Sequence, residues 1–312
     1  MHPLRAICLE LGFFTRSHAR EAGLDERAID AEARSRRWLR IRRGYYTFPD
    51  LWAAASEEER HRMRCRAVLH SLGEAVALSH TSGCVAAGLD VWGLPLNRVH
   101  VTRLDGGAGR IEGDVVHHEG FVADGEVDVI DGMRVLLPAR CALEAGSLGT
   151  PESALVVLNS ARFTSRATSG EIEDRFDLMA HCPHVRRLHV PVRMCTDKAE
   201  SVGESRGLWL FWSEHLPAPT LQHEVRAGGT LIGRTDWAWP RHRGLGEFDG
   251  KVKYGRLLKD GQDPGDVVFE EKKREDALRE AADAWMIRLI WSDLEQPSAT
   301  AARLRRLIAR AS

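Results

Sequence analysis

DWAWPRHRGLGEFDGKVK, residues 236–253, is the stretch on which the fold turns. Asp236 sits at the end of a predicted strand, Thr230 to Trp237, and the next predicted strand runs from Gly246 to Lys253. Side chains two apart on a strand share a face, so Glu247, Asp249, Lys251 and Lys253 would point one way and Phe248 and Val252 the other. Each buried ion loses several kcal/mol of hydration, which makes this a poor core strand unless the charges have a task. A divalent cation supplies one. Oxygen ligands from Asp236 with Asp249 or Glu247 suit Mg2+ (or Mn2+) with its remaining waters, and a neighbouring lysine can position or deprotonate the attacking water. Metal-assisted cleavage of a phosphodiester is the reaction this donor set favours.

Outward from that stretch the pattern is regular. Lys198 to His215 reads as a helix carrying Glu204 as a further acid, and Leu221 to Arg226 as a strand before Thr230 to Trp237. The Gly/Pro/Asp-rich DGQDPGD leads into a charged helix from Val268 to Ala284; Trp285 to Trp291 is an apolar strand and Ala299 to Ala309 a last helix. The order is helix, three strands, helix, strand.

This order and these acids resemble the PD-(D/E)XK nuclease superfamily, with Asp236 matching its first acid and Asp249-Gly250-Lys251 its acid-x-Lys. More narrowly, Glu247 to Gly250, with Lys272 to Asp276 and Ile287 to Trp291 downstream, is similar to small endonuclease domains related to very-short-patch-repair enzymes. Those relatives commonly carry Gln or His where this chain has Lys251, and Lys253 competes for the same role. The resemblance implies a restriction-endonuclease-like domain over 198–312 with an αβββαβ core. Its implied site is Glu204, Asp236, Glu247 and Asp249 as metal ligands, with Lys251 or Lys253 as the lysine. Lys272, Lys273 and Arg274 could touch the phosphate backbone.

The N-terminal third, 1–72, carries a second signal. Leu4 to Leu11, Ser17 to Ala22 and Asp25 to Arg36 read as three short helices, the last with Asp25 as N-cap. Trp38 to Ile41 and Tyr45 to Phe48 then flank Arg42-Arg43-Gly44, a hairpin in which glycine supplies the positive φ. Arg34, Arg36, Arg37, Arg40, Arg42 and Arg43 crowd this element, although the whole chain balances 44 Lys and Arg against 45 Asp and Glu. Three helices and a basic hairpin are the parts of a winged helix-turn-helix, and arginine forks match phosphate oxygens, so DNA is the expected partner. GFFTRSHAREAGLDERAIDAEARSRRWLRIRRGYYTF resembles the winged-helix region of AbiEi-family proteins, the antitoxin or regulator half of type IV toxin-antitoxin systems. ALSHTSGCVAAGLDVWGLP and RVLLPARCALEAG are more loosely similar to the region C-terminal to the winged helix in that family. The resemblance implies a regulator that binds its own promoter and contacts a cognate toxin, with the C-terminal fold a degenerate nuclease. An RNA-directed nuclease would present the same metal and phosphate chemistry.

Residues 73–197 read as a connecting α/β domain, with AVALSHTSGCVAAGL helical and short strands at Val99 to Arg103, Asp114 to His118 and Met133 to Leu137. His80, His117 and His118 lack acidic or nucleophilic partners at a readable spacing and are expected to be core or surface histidines. His181, Cys182, His184, His189 and Cys195 have zinc-binding side chains without the tight pairs of a structural zinc site, so zinc is not expected there. The fold class is a mixed α/β, α+β multidomain chain. A net charge of -1 excludes a uniformly basic binder, and six scattered cysteines are expected to be reduced thiols. With no run of 18 apolar residues and no leader pattern in the opening residues, the expected location is the cytoplasm. No serine-hydrolase order, phosphate loop or dinucleotide fingerprint is present.

Overall fold

The computed structural model describes residues 3–182, 184–250 and 264–311, and the side chains of these except 264–271. Lys251, Val252 and Lys253 lie outside the described residues. The chain is a mixed α/β protein that divides into two compact units, residues 1–161 with 166–193, and residues 162–165 with 194–312. No helix among the described residues is long and apolar enough to cross a membrane.

The first unit opens with α1 (Pro3–Leu11), β1 (Phe14–Thr15), α2 (Arg16–Glu21), α3 (Glu26–Arg34), β2 (Leu39–Arg42) and β3 (Tyr45–Thr47). Local chemistry sets these boundaries. Thr15 caps α2 in a reciprocal box with His18, and the Asp25 carboxylate accepts from the Ala28 amide at 2.8 Å to start α3. The strands pair in the order β1-β3-β2, and Leu4, Phe14, Ile29, Trp38 and Tyr46 close a small core beneath them.

After α4 (Pro49–Ala54) and α5 (Glu57–Leu72), β4 (Val76–Leu78) precedes α6 (His80–Ala87). The expected continuous helix over AVALSHTSGCVAAGL therefore begins late: Val76 to Leu78 form a central strand, antiparallel to one neighbour and parallel to another. Next come β5 (Val99–Arg103), β6 (Arg110–Glu112), β7 (Val115–His118), β8 (Val127–Ile130), β9 (Met133–Leu136) and α7 (Pro138–Gly146), and then α8 (Pro151–Phe163), α9 (Ser169–Leu178) and α10 (His189–Met194). The six strands form one mixed sheet, β6-β7-β5-β4-β9-β8.

The second unit holds α11 (Val202–Ser213), β10 (Thr220–Ala227), β11 (Thr230–Trp239), β12 (Gly244–Phe248), α12 (Pro264–Ala282), β13 (Trp285–Leu289), α13 (Trp291–Leu294) and α14 (Pro297–Ala311). Its sheet runs β10-β11-β12-β13, antiparallel until β13 joins β12 in parallel. Two glycines let α11 lie close on this sheet. A Cβ at Gly203 would stand 2.0 Å from the Phe248 ring, and one at Gly207 would stand 2.3 Å from that of Trp237. Trp237, Trp239 and Phe211 meet edge-on beneath the helix, while Val225, Ala238, Leu245 and Leu278 pack under α12 on the other face.

Candidate active site and basic face

Trp237 of β11 pairs with Gly246 of β12, so Asp236 and Glu247 stand opposite each other one step further along. Glu247 in turn pairs with Arg288 of β13. On the far side, β10 aligns Leu221 with Trp237 and His223 with Thr235, which leaves Gln222, at φ +49°, beside Asp236. Gln222, Asp236, Glu247 and Arg288 thus form one row across the sheet. The strand expected over Gly246 to Lys253 is Gly244 to Phe248, extended by the Asp249 amide donating to the Leu289 carbonyl at 2.8 Å. Glu247 and Asp249 share a side, both within 4 Å of the Arg288 guanidinium, whereas Phe248 turns to Gly203 and packs edge-on against Trp291.

Glu204 enters from the first turn of α11, whose N-cap is Ser201. The residue is 8 % exposed, and its carboxylate accepts from Ser201 Oγ at 2.8 Å, the Glu200 amide at 3.0 Å and Gln222 Nε2 at 2.8 Å. Burial, reinforced by the charge of Asp236, lifts its pKa to about 7 despite those donors. Asp236 accepts from the Phe248 amide at 2.7 Å, and burial with the nearby Glu200 charge raises it too. Carboxyl groups raised in this way hold their protons at a pH where ordinary carboxylates have released them.

The acids are not left to themselves. Arg274 of α12 lies 2.7 Å from Glu247, and Arg288 reaches Glu275 at 3.4 Å. No three of Glu204, Asp236, Glu247 and Asp249 bring oxygens within 4.8 Å of one another. The charges therefore split into two groups: Glu204 with Asp236, which carry the raised pKa values, and Glu247 with Asp249, which have arginine partners. Arg288, within the Ile287 to Trp291 stretch, is not among the site residues expected from the sequence.

On the basic face, Arg37 pairs with Glu32 at 2.6 Å and half-buried Arg42 with Asp114 at 2.7 Å. Arg34, Arg36, Arg40 and Arg43 are exposed and make no ion pair among the described residues. The acids of α3 are covered: Arg16 reaches Glu26 and Asp30, and Arg20 reaches Glu26. Arg27, outside the set singled out from the sequence, is also exposed there.

The described residues hold one group of three His, Cys, Asp or Glu with ligating atoms mutually within 4.8 Å, and it is His80, His100 and His118. Sequence spacing could not reveal it, because its members come from three elements of the six-stranded sheet region. Neither a scan of protein-family models nor a search of curated proteins found a match to this chain.

Proposed function

We propose that this chain is a nucleic-acid-binding phosphodiesterase, and specifically a DNA-binding protein whose second unit is a Mg2+-dependent endonuclease of the PD-(D/E)XK type. The observation that carries the reading is Asp236 placed opposite Glu247 on neighbouring strands of a helix, three-strand, helix, strand unit, with Glu204 at the mouth of the first helix. The donor set fits a hard cation: all oxygen, with buried Glu204 and half-buried Asp236 both raised in pKa, chiefly by burial and further by neighbouring acidic charge. Asp236 and Glu204 would hold the ion, which keeps most of its waters, and Glu247 or Asp249 would join on release from arginine. A bound Mg2+ polarises the phosphate and lowers the pKa of a bound water. Arg274 and Arg288 then face the phosphate that displaces them from the carboxylates. DNA delivery falls to the first unit, where the α1-β1-α2-α3-β2-β3 order and the β1-β3-β2 sheet support a winged helix with α3 as recognition helix.

The test is conversion of supercoiled plasmid to nicked or linear forms in Mg2+ or Mn2+. Cleavage lost in Asp236→Ala and retained in Cys182→Ser is expected; cleavage unchanged in Asp236→Ala and Glu247→Ala overturns the assignment. One observation favours a second reading, a non-catalytic AbiEi-like regulator with a degenerate nuclease fold: Arg274 and Arg288 already neutralise Glu247 and Asp249. It predicts tight operator binding with no cleavage in any metal.

A further inference from the structure

We propose that His80, His100 and His118 form a binding site for a borderline divalent transition metal, Zn2+ foremost, in the first unit and separate from the carboxylates of the second. The three side chains come from neighbouring parts of one sheet. His100 lies on β5, His118 ends β7, and His80 opens α6 directly after β4. Strands β4 and β7 flank β5, with Leu78 paired to Val101 and Thr102 paired to His118. This register puts His100, Thr102 and His118 on one face, and the Ser79 amide donates to the His100 carbonyl at 3.1 Å, which brings His80 over the same place.

The rings are packed as donors to a common point. His80 and His118 stack at 3.7 Å between centroids, and His100 Nδ1 stands 2.9 Å from His118 Nε2. Tetrahedral ligands about 2.05 Å from an ion are about 3.3 Å apart, so small ring rotations suffice to bring all three nitrogens onto one centre. Nitrogen donors select this class of metal over Mg2+, whose ligands are oxygens.

Around the histidines is a supporting shell. Buried Glu144 of α7 places Oε2 3.1 Å from His80 Nδ1 while making no well-aligned hydrogen bond through that oxygen. His80 Nδ1 also stands 3.1 Å from Ser79 Oγ, so with Nδ1 facing Ser79 and Glu144, Nε2 is the nitrogen left for an ion, close to the carboxylate–histidine–metal arrangement that fixes a ligand ring. Glu144 is itself held by Arg140 at 2.7 Å, and Arg140 and Arg175 both grip Glu126. His100 is fixed from behind. His61 Nδ1 lies 2.9 Å from the Leu96 carbonyl and so must donate, its Nε2 accepts from Ser82 Oγ, and that oxygen accepts the His100 amide at 2.8 Å. His80 adopts φ +50° at the start of its helix, a left-handed backbone that its surroundings must hold.

The two arginines and two glutamates of the shell cancel in charge, and Thr102 Oγ1, on the same face as His100 and His118, is buried without a hydrogen-bond partner. Three protein ligands leave a fourth position open, and the half-exposed His118 gives a way in. A dication here carries uncompensated positive charge, so that position suits hydroxide or an anionic group such as a phosphate oxygen. The competing account is a metal-free, mutually hydrogen-bonded histidine stack.

Co2+ titrated into chelator-stripped full-length protein distinguishes them. The expected result is one equivalent bound with the intense visible bands of a four- or five-coordinate nitrogen site. These bands should be retained in Asp236→Ala and His184→Ala and abolished in His100→Ala. His118→Gln, at the half-exposed position, covers the case in which His100→Ala does not fold, and should also abolish them with an unchanged circular dichroism spectrum. Glu144→Gln, acting through His80, should weaken Co2+ and Zn2+ binding about 10- to 100-fold while leaving the band positions in place. Absence of intense bands in the parent protein, or their persistence in folded His118→Gln, overturns the proposal.

Discussion

Glu204→Gln should make the second unit more stable at neutral and alkaline pH while abolishing cleavage. The folded-state pKa of about 7 lies above the ordinary glutamate value of 4.5. Below pH 4.5 the group is protonated whether the chain is folded or not. Between 4.5 and 7 the folded protein keeps a proton that the unfolded chain has released, so stability falls as pH rises, by about 1.4 kcal/mol per unit. Above 7 the loss is complete and amounts to about 3 kcal/mol. Glutamine removes the charge and fits the same partners. Its oxygen accepts from the Glu200 amide and Gln222, and its amide donates to Ser201 Oγ once that hydroxyl rotates. The variant should match the parent protein near pH 4.5 and gain about 3 kcal/mol by pH 8. For a unit of this size that is about 10 °C in Tm, read by calorimetry in chelator. Millimolar Mg2+ should raise the parent Tm at pH 8 and leave Glu204→Gln unmoved. A variant no more stable than its parent at pH 8, or one whose advantage does not change with pH, refutes the buried-carboxylate reasoning.

Other perturbations test separate parts of the structure. Replacing Arg40 and Arg43 with alanine should flatten the salt dependence of DNA binding, by about 0.9 in the logarithmic slope for each phosphate that is no longer neutralised. Arg42→Ala, whose partner is Asp114, should change that slope less, and fluorescence anisotropy across a salt series reads both. Gly207→Ala puts a methyl against the Trp237 ring and should cost about 1–3 kcal/mol in urea unfolding of the second unit. Arg140→Ala leaves buried Glu144 without its arginine and Glu126 with Arg175 alone, and should destabilise the first unit by about 3 kcal/mol, seen in its own calorimetric transition.

Much of the local structure was legible because its causes lie within a few residues. The Asp25 cap, the Arg42-Arg43-Gly44 turn and the alternation around Glu247 each depend on side chains adjacent along the chain. Val76 to Leu78 read as helix because three residues among alanines carry little strand signal. Their conformation depends on β5 and β9 on either side, which a local pattern does not contain. Arg288, part of the Ile287 to Trp291 stretch, had no expected role of its own for a related reason, since its bearing on Glu247 exists only through the parallel pairing of β12 with β13.

By itself the sequence determined the order of elements in the second unit, the acids on its strands and the arginine-rich hairpin, since periodicity, caps and turn residues act over one or two turns of chain. Tertiary structure alone decided that Asp236 faces Glu247, that arginines already occupy Glu247 and Asp249, and that His80, His100 and His118 meet. Those juxtapositions depend on which strands become neighbours and in what register. That choice is settled by burying whole faces against one another, and no short stretch of residues encodes it.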